Sequence, residues 1–502
     1  MSLTILKSLE HMLNQFFPSK WNPLYNLGSL SFYLFAIALV TGIYLFIFFE
    51  TSIAHAYESV EKITNEQYYF GSLMRSLHRY ASALMAVTVT LHLFREFILK
   101  RYVGARWFSW VSGVPLLWLL FASAIGGYWL VWDTKAQYIS LLTSELLDSL
   151  PIIVEPMAMG FVNNAVISDR FFSLLIFMHV GVPLGLLLGI IIHIKRINNA
   201  QIQPPNGLAI GTLGALILLS LLSPAMSLAP ANFDQALREI EIDWFYMNTY
   251  PLIQSLGPET VGFILLGITA LLTSIPFLDT LINKKEVNPI AVVDPEFCNG
   301  CGWCFADCPY EAIYMKPHDD LKNHSQAVVI KDYCVGCGIC AGACPSVTPF
   351  KNFNEAKSGI DIPGFKNSDL LIDSIRKTKQ LTTQHKILVV GCHHGTNLSQ
   401  FETANTTTES LECIGQLPPS YMDFLCRREG IDAVLLTGCA SGDCFHRSGI
   451  EIQEERLVRL REPHVRYADV REKIAKVWTG KGGEKEIAAK IAEINAALED
   501  QS

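Results

Sequence analysis

The sequence predicts a multidomain chain: an all-α transmembrane part of six helices, a small α+β part, and an α/β C-terminal part. Three observations predict it. Six apolar runs fill the first half and stop before residue 286. All 13 cysteines lie at or after Cys298. Beyond residue 385, two short apolar segments, each ending in a cysteine, replace the helical runs. Half of the 502 residues are hydrophobic and only 17% are charged, the balance of a membrane protein with a substantial soluble part. A net charge of −8 excludes the basic footprint of a nucleic-acid binder. No cleavable signal peptide is expected, because residues 1–20 are mixed and amphipathic without a long apolar core.

The apolar runs cover residues 30–49, 77–98, 109–131, 171–194, 208–228 and 260–281, each long enough to cross a hydrocarbon layer. Arg95, Lys100, Arg101 and Arg106 accompany the second connection, Lys195 and Arg196 the fourth, and Lys284 and Lys285 follow the last run. The other connections are acidic, with Glu50, Glu58, Glu61 and Glu66, then Asp133, Glu145 and Asp148, then Asp234, Glu239 and Asp243. The positive-inside rule puts both termini in the cytoplasm, with the prokaryotic inner (cytoplasmic) membrane as the expected location. Clustered cysteines stay reduced there, so two independent inferences agree.

His78, His92, His179 and His193 are the only histidines in these runs, and they form two pairs, each fourteen residues apart. A histidine facing lipid is costly. Fourteen residues is just under four helical turns, so both members of a pair face one side, about 21 Å apart. With the second and fourth runs parallel, His78 meets His179 near the outer face and His92 meets His193 near the cytoplasmic face. Two stacked bis-imidazole sites in a four-helix bundle are what two b haems across a membrane require. Isolated histidines could simply cap helices, but two identical spacings make chance a poor account. Gly28 and Gly42, then Gly113 and Gly127, repeat the fourteen-residue period and remove a Cβ where a flat macrocycle would press on a helix. Close helix–helix packing is the alternative use of such glycines. Arg75, three residues before His78, is a candidate partner for a haem propionate.

Residues 18–282 resemble the cytochrome b family of quinol-oxidising bc-type respiratory and photosynthetic complexes. The likeness is carried by Asn26-Leu-Gly-Ser with Gly42, Arg75-Ser-Leu-His with His92, Gly127-Tyr-Trp-Leu-Val-Trp132, and Arg170-Phe-Phe-Ser with His179 and His193. Pro230-Ala-Asn, Ile242-Asp-Trp-Phe-Tyr246 and Pro276-Phe-Leu-Asp-Thr280 extend it. The resemblance implies an outer-side quinone pocket. The family's Pro-Glu-Trp-Tyr loop, whose glutamate accepts a quinol proton, aligns with Ile242 and Asp243 here. Asp243, Trp244 and Tyr246 are therefore the candidate catalytic residues. The family's last two helices have no counterpart, and the cysteine-rich half stands in their place. The expected membrane domain is 1–284.

Cys298, Cys301, Cys304 and Cys308 form C-x2-C-x2-C-x3-C-P, and Cys334, Cys337, Cys340 and Cys344 repeat it. This is the spacing of a bacterial two-cluster ferredoxin, in which the fourth cysteine crosses to the other cluster. The assignment is Cys298, Cys301, Cys304 and Cys344 for one [4Fe–4S] cluster, and Cys334, Cys337, Cys340 and Cys308 for the other. Zinc sites use paired ligands without a trailing Cys-Pro. Residues 286–354 are thus an α+β ferredoxin domain.

His385-Lys-Ile-Leu-Val-Val-Gly-Cys392 and Asp432-Ala-Val-Leu-Leu-Thr-Gly-Cys439 read as strands. Cys392, Cys413, Cys426, Cys439 and Cys444 remain, and their chemistry alone suits a small cluster, a structural zinc or a buried thiol set. Val434-Leu-Leu-Thr-Gly-Cys-Ala-Ser-Gly-Asp-Cys-Phe-His446 is similar to the delta subunit of methyl-viologen-reducing hydrogenases. That family is a [2Fe–2S] protein passing electrons to heterodisulfide-reductase-type flavoproteins. The resemblance implies a [2Fe–2S] domain over 380–470 with Cys392, Cys413, Cys439 and Cys444 as ligands. Where the family has several cysteines near the first strand, this chain has Cys392 followed by His393 and His394, and a histidine ligand is an alternative. Cys426, in the helical Met422-Asp-Phe-Leu-Cys-Arg-Arg, reads as a packed thiol. Residues 471–502 read as a charged helical tail on the surface.

The order of these parts suggests a path for electrons: a [2Fe–2S] centre, two [4Fe–4S] clusters, two b haems and quinone as substrate. No nucleotide-binding glycine loop, flavin signature or dihydrogen-splitting cysteine set is apparent. The expected role is therefore an oxidoreductase subunit of a multi-subunit complex, with dimerisation among the expectations. Expected partners are a cytoplasmic dehydrogenase, a heterodisulfide-reductase-like flavoprotein, or hydrogenase or formate dehydrogenase subunits. Quinol oxidation driving electrons inward is the alternative direction, and a non-catalytic redox anchor the alternative class.

Overall fold

The computed structural model describes residues 3–150, 168–195, 201–234, 240, 246–283, 289–319, 322, 324–345 and 358–500, and helices dominate the described residues of the first half. The chain divides into two units: Asn26–Lys195 with Gln201–Lys285, and Met1–Tyr25 with Arg196–Ala200 and Glu286–Ser502. The first helix, α1 (Leu3–Phe16), thus belongs to the second unit. This differs from the expected 1–284 domain, and the reason is visible in the packing. Leu6 and Glu10 are buried, Ser19 Oγ donates to the Ser441 carbonyl at 2.7 Å, and the Lys20 backbone lies against Gly442.

The first unit holds α2 (Leu27–Phe48), α3 (Ala56–Asn65), α4 (Tyr68–Ile98), α5 (Trp107–Val131), α6 (Thr134–Asp148), α7 (Asp169–Lys195), α8 (Asn206–Leu222), α9 (Tyr250–Leu256) and α10 (Pro258–Asn283). Among the described residues, five helices are long and apolar enough to cross a membrane: α2, α4, α5, α7 and α10. The fifth expected run is shorter than predicted. α8 has 17 residues and stops at Leu222, because Pro224 disfavours a helical Ser223. Helix α2 packs along α4 and α5 along α7. Their shared core includes Leu34, Ala81, Ile139 and Phe172. Ser31 Oγ donates to Thr88 Oγ1 at 2.8 Å between α2 and α4, giving two polar groups partners where water is scarce. Asp133 caps α6 by accepting from the Ala136 amide, and its other oxygen accepts from the Leu228 amide. That pins the segment around Pro230 to the end of α5, where Asp133 and Pro230 form a bridge.

The second unit begins its folded C-terminal part with β1 (Val292–Val293), α11 (Trp303–Ala306), the hairpin β2 (Ile313–Pro317) and β3 (Ser325–Val329), α12 (Ile339–Gly342) and β4 (Ile360–Asp361). β1 pairs antiparallel with β4 and β2 with β3. Then come α13 (Asn367–Gln380), β5 (Ile387–Cys392), β6 (Thr406–Leu411), α14 (Pro419–Arg428), β7 (Ala433–Thr437), α15 (Gly449–Leu457), β8 (Ile474–Val477) and α16 (Glu484–Glu499). The four strands form a parallel sheet in the order β6-β5-β7-β8. β5 and β7 are buried along their whole length, which explains why they are apolar but for Thr437. Leu388, Val390, Val434 and Leu436 pack on one side with α13 and α14, and Ile387, Val389 and Leu435 on the other with Ile487 and Ile494 of α16. The predicted surface tail therefore ends in a helix that covers one face of the sheet, since its two isoleucines need that burial.

Candidate functional site

The four membrane histidines each meet a glycine. On α4, His78 lies against Gly42 and His92 against Gly28; on α7, His179 lies against Gly127 and His193 against Gly113. A Cβ added at Gly127 would sit 2.9 Å from His179 Cε1, and one at Gly42 would sit 3.0 Å from His78 Cε1. At each of these glycines the nearest side chain is the edge of an imidazole ring. His78 Nδ1 lies 2.8 Å from the Ala38 carbonyl, and His179 Nδ1 lies 3.0 Å from the Ser123 carbonyl. A carbonyl only accepts, so each Nδ1 carries the proton and each Nε2 keeps its lone pair free to ligate. The two rings have centres 6.3 Å apart. His193 Nδ1 is likewise engaged, 3.0 Å from Ser112 Oγ.

Arg75 does not stand free for a propionate. Its guanidinium donates to Thr64 Oγ1 at 2.5 Å and to Ser227 Oγ at 2.7 Å, and pairs with Glu61 at 3.5 Å, because a buried cation needs partners within the protein. Of the candidate quinone residues, Asp243 and Trp244 lie outside the described residues. Tyr246 is 4% exposed, donates to the Ser82 carbonyl at 2.5 Å and packs against Phe121 and Tyr128.

The eight cassette cysteines divide between two cavities. Cys298, Cys301, Cys304 and Cys344 line one, with Gly300, Gly302 and Met315; Cys308, Cys334, Cys337 and Cys340 line the other, with Pro309 and Tyr310. The fourth cysteine of each cassette thus faces the first three of the other. Glycines escaped the sequence reading here. Gly300 and Gly302 have φ of +68° and +78°, and Gly336 and Gly338 have +68° and +77°, so the two cassettes share one backbone path. Left-handed φ on both sides of the second cysteine turns the chain inward, at little cost only to glycine. Burial pushes the Cys304 thiol up to about 12, so without a bound metal it stays protonated.

Cys392 and Cys439, at and just after the ends of β5 and β7, have Sγ atoms 3.7 Å apart. A Cβ on Gly449 would fall 2.3 Å from Cys413 Sγ and 3.6 Å from Cys444 Sγ. The loops after β5, β6 and β7 thus gather these four thiols. Cys426 sits apart inside α14, its thiol pushed up to about 12 by burial. Cys413 and Cys337 share one hydrophobic cluster with Tyr310 and Ile339, so this site adjoins the Cys308/Cys334/Cys337/Cys340 cavity. At the seam, a Cβ on Gly342 would lie 2.3 Å from the Gly415 carbonyl. The sequence reading also missed Glu412, which faces His393, His394 and His446. Burial pushes its carboxyl up, but the three histidines hold it well below the usual carboxylate range.

Comparison with known proteins finds three family models along the chain. Family models match in order: cytochrome b/b6/petB over residues 12–201, the 4Fe-4S dicluster domain over 297–347, and the methyl-viologen-reducing hydrogenase delta subunit over 404–500. Cytochrome b of Acanthamoeba castellanii is 26% identical over 300 residues, covering 53% of this chain and 76% of that protein. Cytochrome b6 of Desmonostoc sp. (strain PCC 7906) is 30% identical over 151 residues, covering 30% of this chain and 70% of that protein. A solved chain described as Hyperthermophilic respiratory Complex III aligns over 51% of this chain and 75% of its own, at 21% identity and a TM-score of 0.43. Paired histidines and glycines on apolar helices, and a 30% identical relative matched over 70% of its length, lead to one conclusion: the chain belongs to the cytochrome b family, extended by a 4Fe-4S dicluster domain and a hydrogenase delta-subunit domain.

Proposed function

We propose that this membrane oxidoreductase subunit passes electrons between a cytoplasmic dehydrogenase partner and the quinone pool, with quinone reduction as its working direction. One observation carries the reading furthest. His78 and His179 stand with ring centres 6.3 Å apart, each Nδ1 held by a backbone carbonyl and each Nε2 left to ligate. Two imidazoles need about that separation to share one metal ion at about 2 Å from each nitrogen. His78 with His179 would hold one b haem, and His92 with His193 a second. Cys298, Cys301, Cys304 and Cys344 would hold one [4Fe–4S] cluster, and Cys334, Cys337, Cys340 and Cys308 the other. Cys392, Cys413, Cys439 and Cys444 suit a [2Fe–2S] centre. When bound, such groups accept and release single electrons at potentials set by ligand type, hydrogen bonding and burial.

The chain's own residues supply ligation, orientation and dryness. Gly42 and Gly127 let the imidazoles approach the neighbouring helix, and Ala38 and Ser123 fix the tautomer. Tyr246 steadies the outer loop, on which Asp243 is the proposed proton-exchanging group. The C-terminal site adjoins the Cys308/Cys334/Cys337/Cys340 cavity, which supports entry of electrons there and passage next to that set. N- and C-termini on the cytoplasmic side of a prokaryotic inner membrane complete the proposal. A heterodisulfide-reductase-like flavoprotein, a hydrogenase or a formate dehydrogenase is the donor class.

An anaerobic redox titration of the purified protein, read by optical and EPR spectra together, tests it. The expected result is two b-type components with iron–sulfur centres at lower potential. Clusters titrating at or above the quinone couple, or a missing haem, would overturn the downhill path.

A further inference from the structure

A second group of ligating side chains stands beside the C-terminal cysteines and is not used by the proposed electron path. His394 follows β5, Glu412 follows β6, and His446 lies in the loop after β7. One ligand atom from each lies within 4.8 Å of the other two. Glu412 Oε1 is 3.2 Å from His394 Nε2 and 3.6 Å from His446 Nε2. Two atoms bound to one tetrahedral ion at about 2 Å stand about 3.3 Å apart, so these separations suit a shared ion.

His446 makes the case specific. It is 3% exposed, its Nδ1 lies 2.7 Å from Tyr310 Oη, and its Nε2 has no hydrogen-bond partner. A buried ring nitrogen left unmet is costly. Hydrogen bonding accounts for His394 with Glu412, but 3.6 Å is too long to satisfy His446 in the same way. A cation between the three would satisfy Nε2 and neutralise the carboxylate together. An imidazole with one nitrogen tied to an outer partner and the other aimed at a carboxylate is how proteins orient metal-ligating histidines. The His394 ring is also fixed, lying flat on Phe445 with centres 3.6 Å apart and planes at 11°.

We propose that His394, Glu412 and His446 bind a divalent first-row transition cation, separate from the cysteine-bound centre. Two imidazoles and one carboxylate, without thiolate, suit zinc and its neighbours and leave coordination positions open. All three ligands sit one or two residues from Cys392, Cys413 and Cys444. The ion therefore pins the three loops that carry those cysteines.

The test uses the full chain with complete iron and sulfide content, stripped with a chelator and titrated with Zn2+ alone. About one tight equivalent is expected for a three-ligand site, lost in Glu412→Gln and His446→Ala while the reduced iron–sulfur EPR signals persist. That pairing of readouts separates failure of this site from failure of the cysteine assignment. If those variants lose the iron–sulfur centre too, Tyr310→Phe carries the test, because it keeps every ligand. It should weaken zinc binding about 10- to 100-fold by freeing the His446 ring. No tight equivalent in the native chain, unchanged binding in Glu412→Gln with its EPR signals intact, or native affinity in Tyr310→Phe would each overturn the proposal.

Discussion

Gly127 and Gly28 look equivalent in sequence and are not equivalent in space. A methyl at Gly127 falls 2.9 Å from His179 Cε1, whereas one at Gly28 falls 3.6 Å from His92 Cε1, an ordinary contact. Gly127→Ala must therefore push the His179 ring or the helix aside, and Gly28→Ala need not. The expected outcome is that Gly127→Ala loses about half of the bound b haem, one of the two proposed bis-imidazole sites, while Gly28→Ala keeps its full complement. Haem-to-protein ratios from reduced spectra decide it, and equal haem in the two variants would sink the distinction. The fourteen-residue spacing was legible because a helix converts sequence separation directly into direction. What the glycines face was not, since it depends on how two helices slide past each other. Arg75 shows the same limit: its sequence position is that of a propionate partner, but Glu61, Thr64 and Ser227 reach it from elsewhere in the chain.

At the scale of elements, the apolar strands were readable and the polar ones were not. β5 and β7 are central, buried on both faces, and apolar but for Thr437 at the end of β7, whereas β6 is an edge strand, Thr-Thr-Thr-Glu-Ser-Leu, whose threonines favour extended backbone without advertising a core. The crossing of Cys308 and Cys344 between cavities was readable because the spacing specifies it. The seam that joins the iron–sulfur segments was not, for it rests on residues far apart in the chain. Arg456, with no side-chain exposure, donates to Asp307 at 2.8 Å and to the Gly415 carbonyl at 2.9 Å, and Arg461 reaches the same carboxylate. Asp307 adjoins Cys308, and Gly415 follows Cys413 by two residues. Arg456→Met leaves Asp307 buried with one partner fewer and should destabilise the seam by about 3–5 kcal/mol. Arg456→Lys should rescue little, since an ammonium cannot span carboxylate and carbonyl as the fork does. Thermal melting followed by loss of cluster absorbance measures both; a native-like melt for Arg456→Met would show that the seam is held by apolar packing instead.

For the whole molecule, the chemistry is distributed so that no single region completes it. The apolar helices carry histidines and no thiol; the second unit carries every cysteine and, among its described residues, no apolar helix long enough to cross a membrane. On the proposed route, electrons from a soluble donor enter at the second unit and leave at the histidine sites. Cys439 sits at the far end of that proposed route, buried and 3.7 Å from Cys392. Cys439→Ser should reduce haem reduction by reduced methyl viologen to a small fraction of the native rate, while haem reduction by a quinol analogue from the membrane side stays near native. The two donors probe opposite ends of one path, so their divergence is the signature of serial wiring. Equal loss with both donors would mean that the substitution damages the haem sites indirectly. Equal retention would mean that electrons enter at the cassette clusters and that the C-terminal thiols serve another purpose.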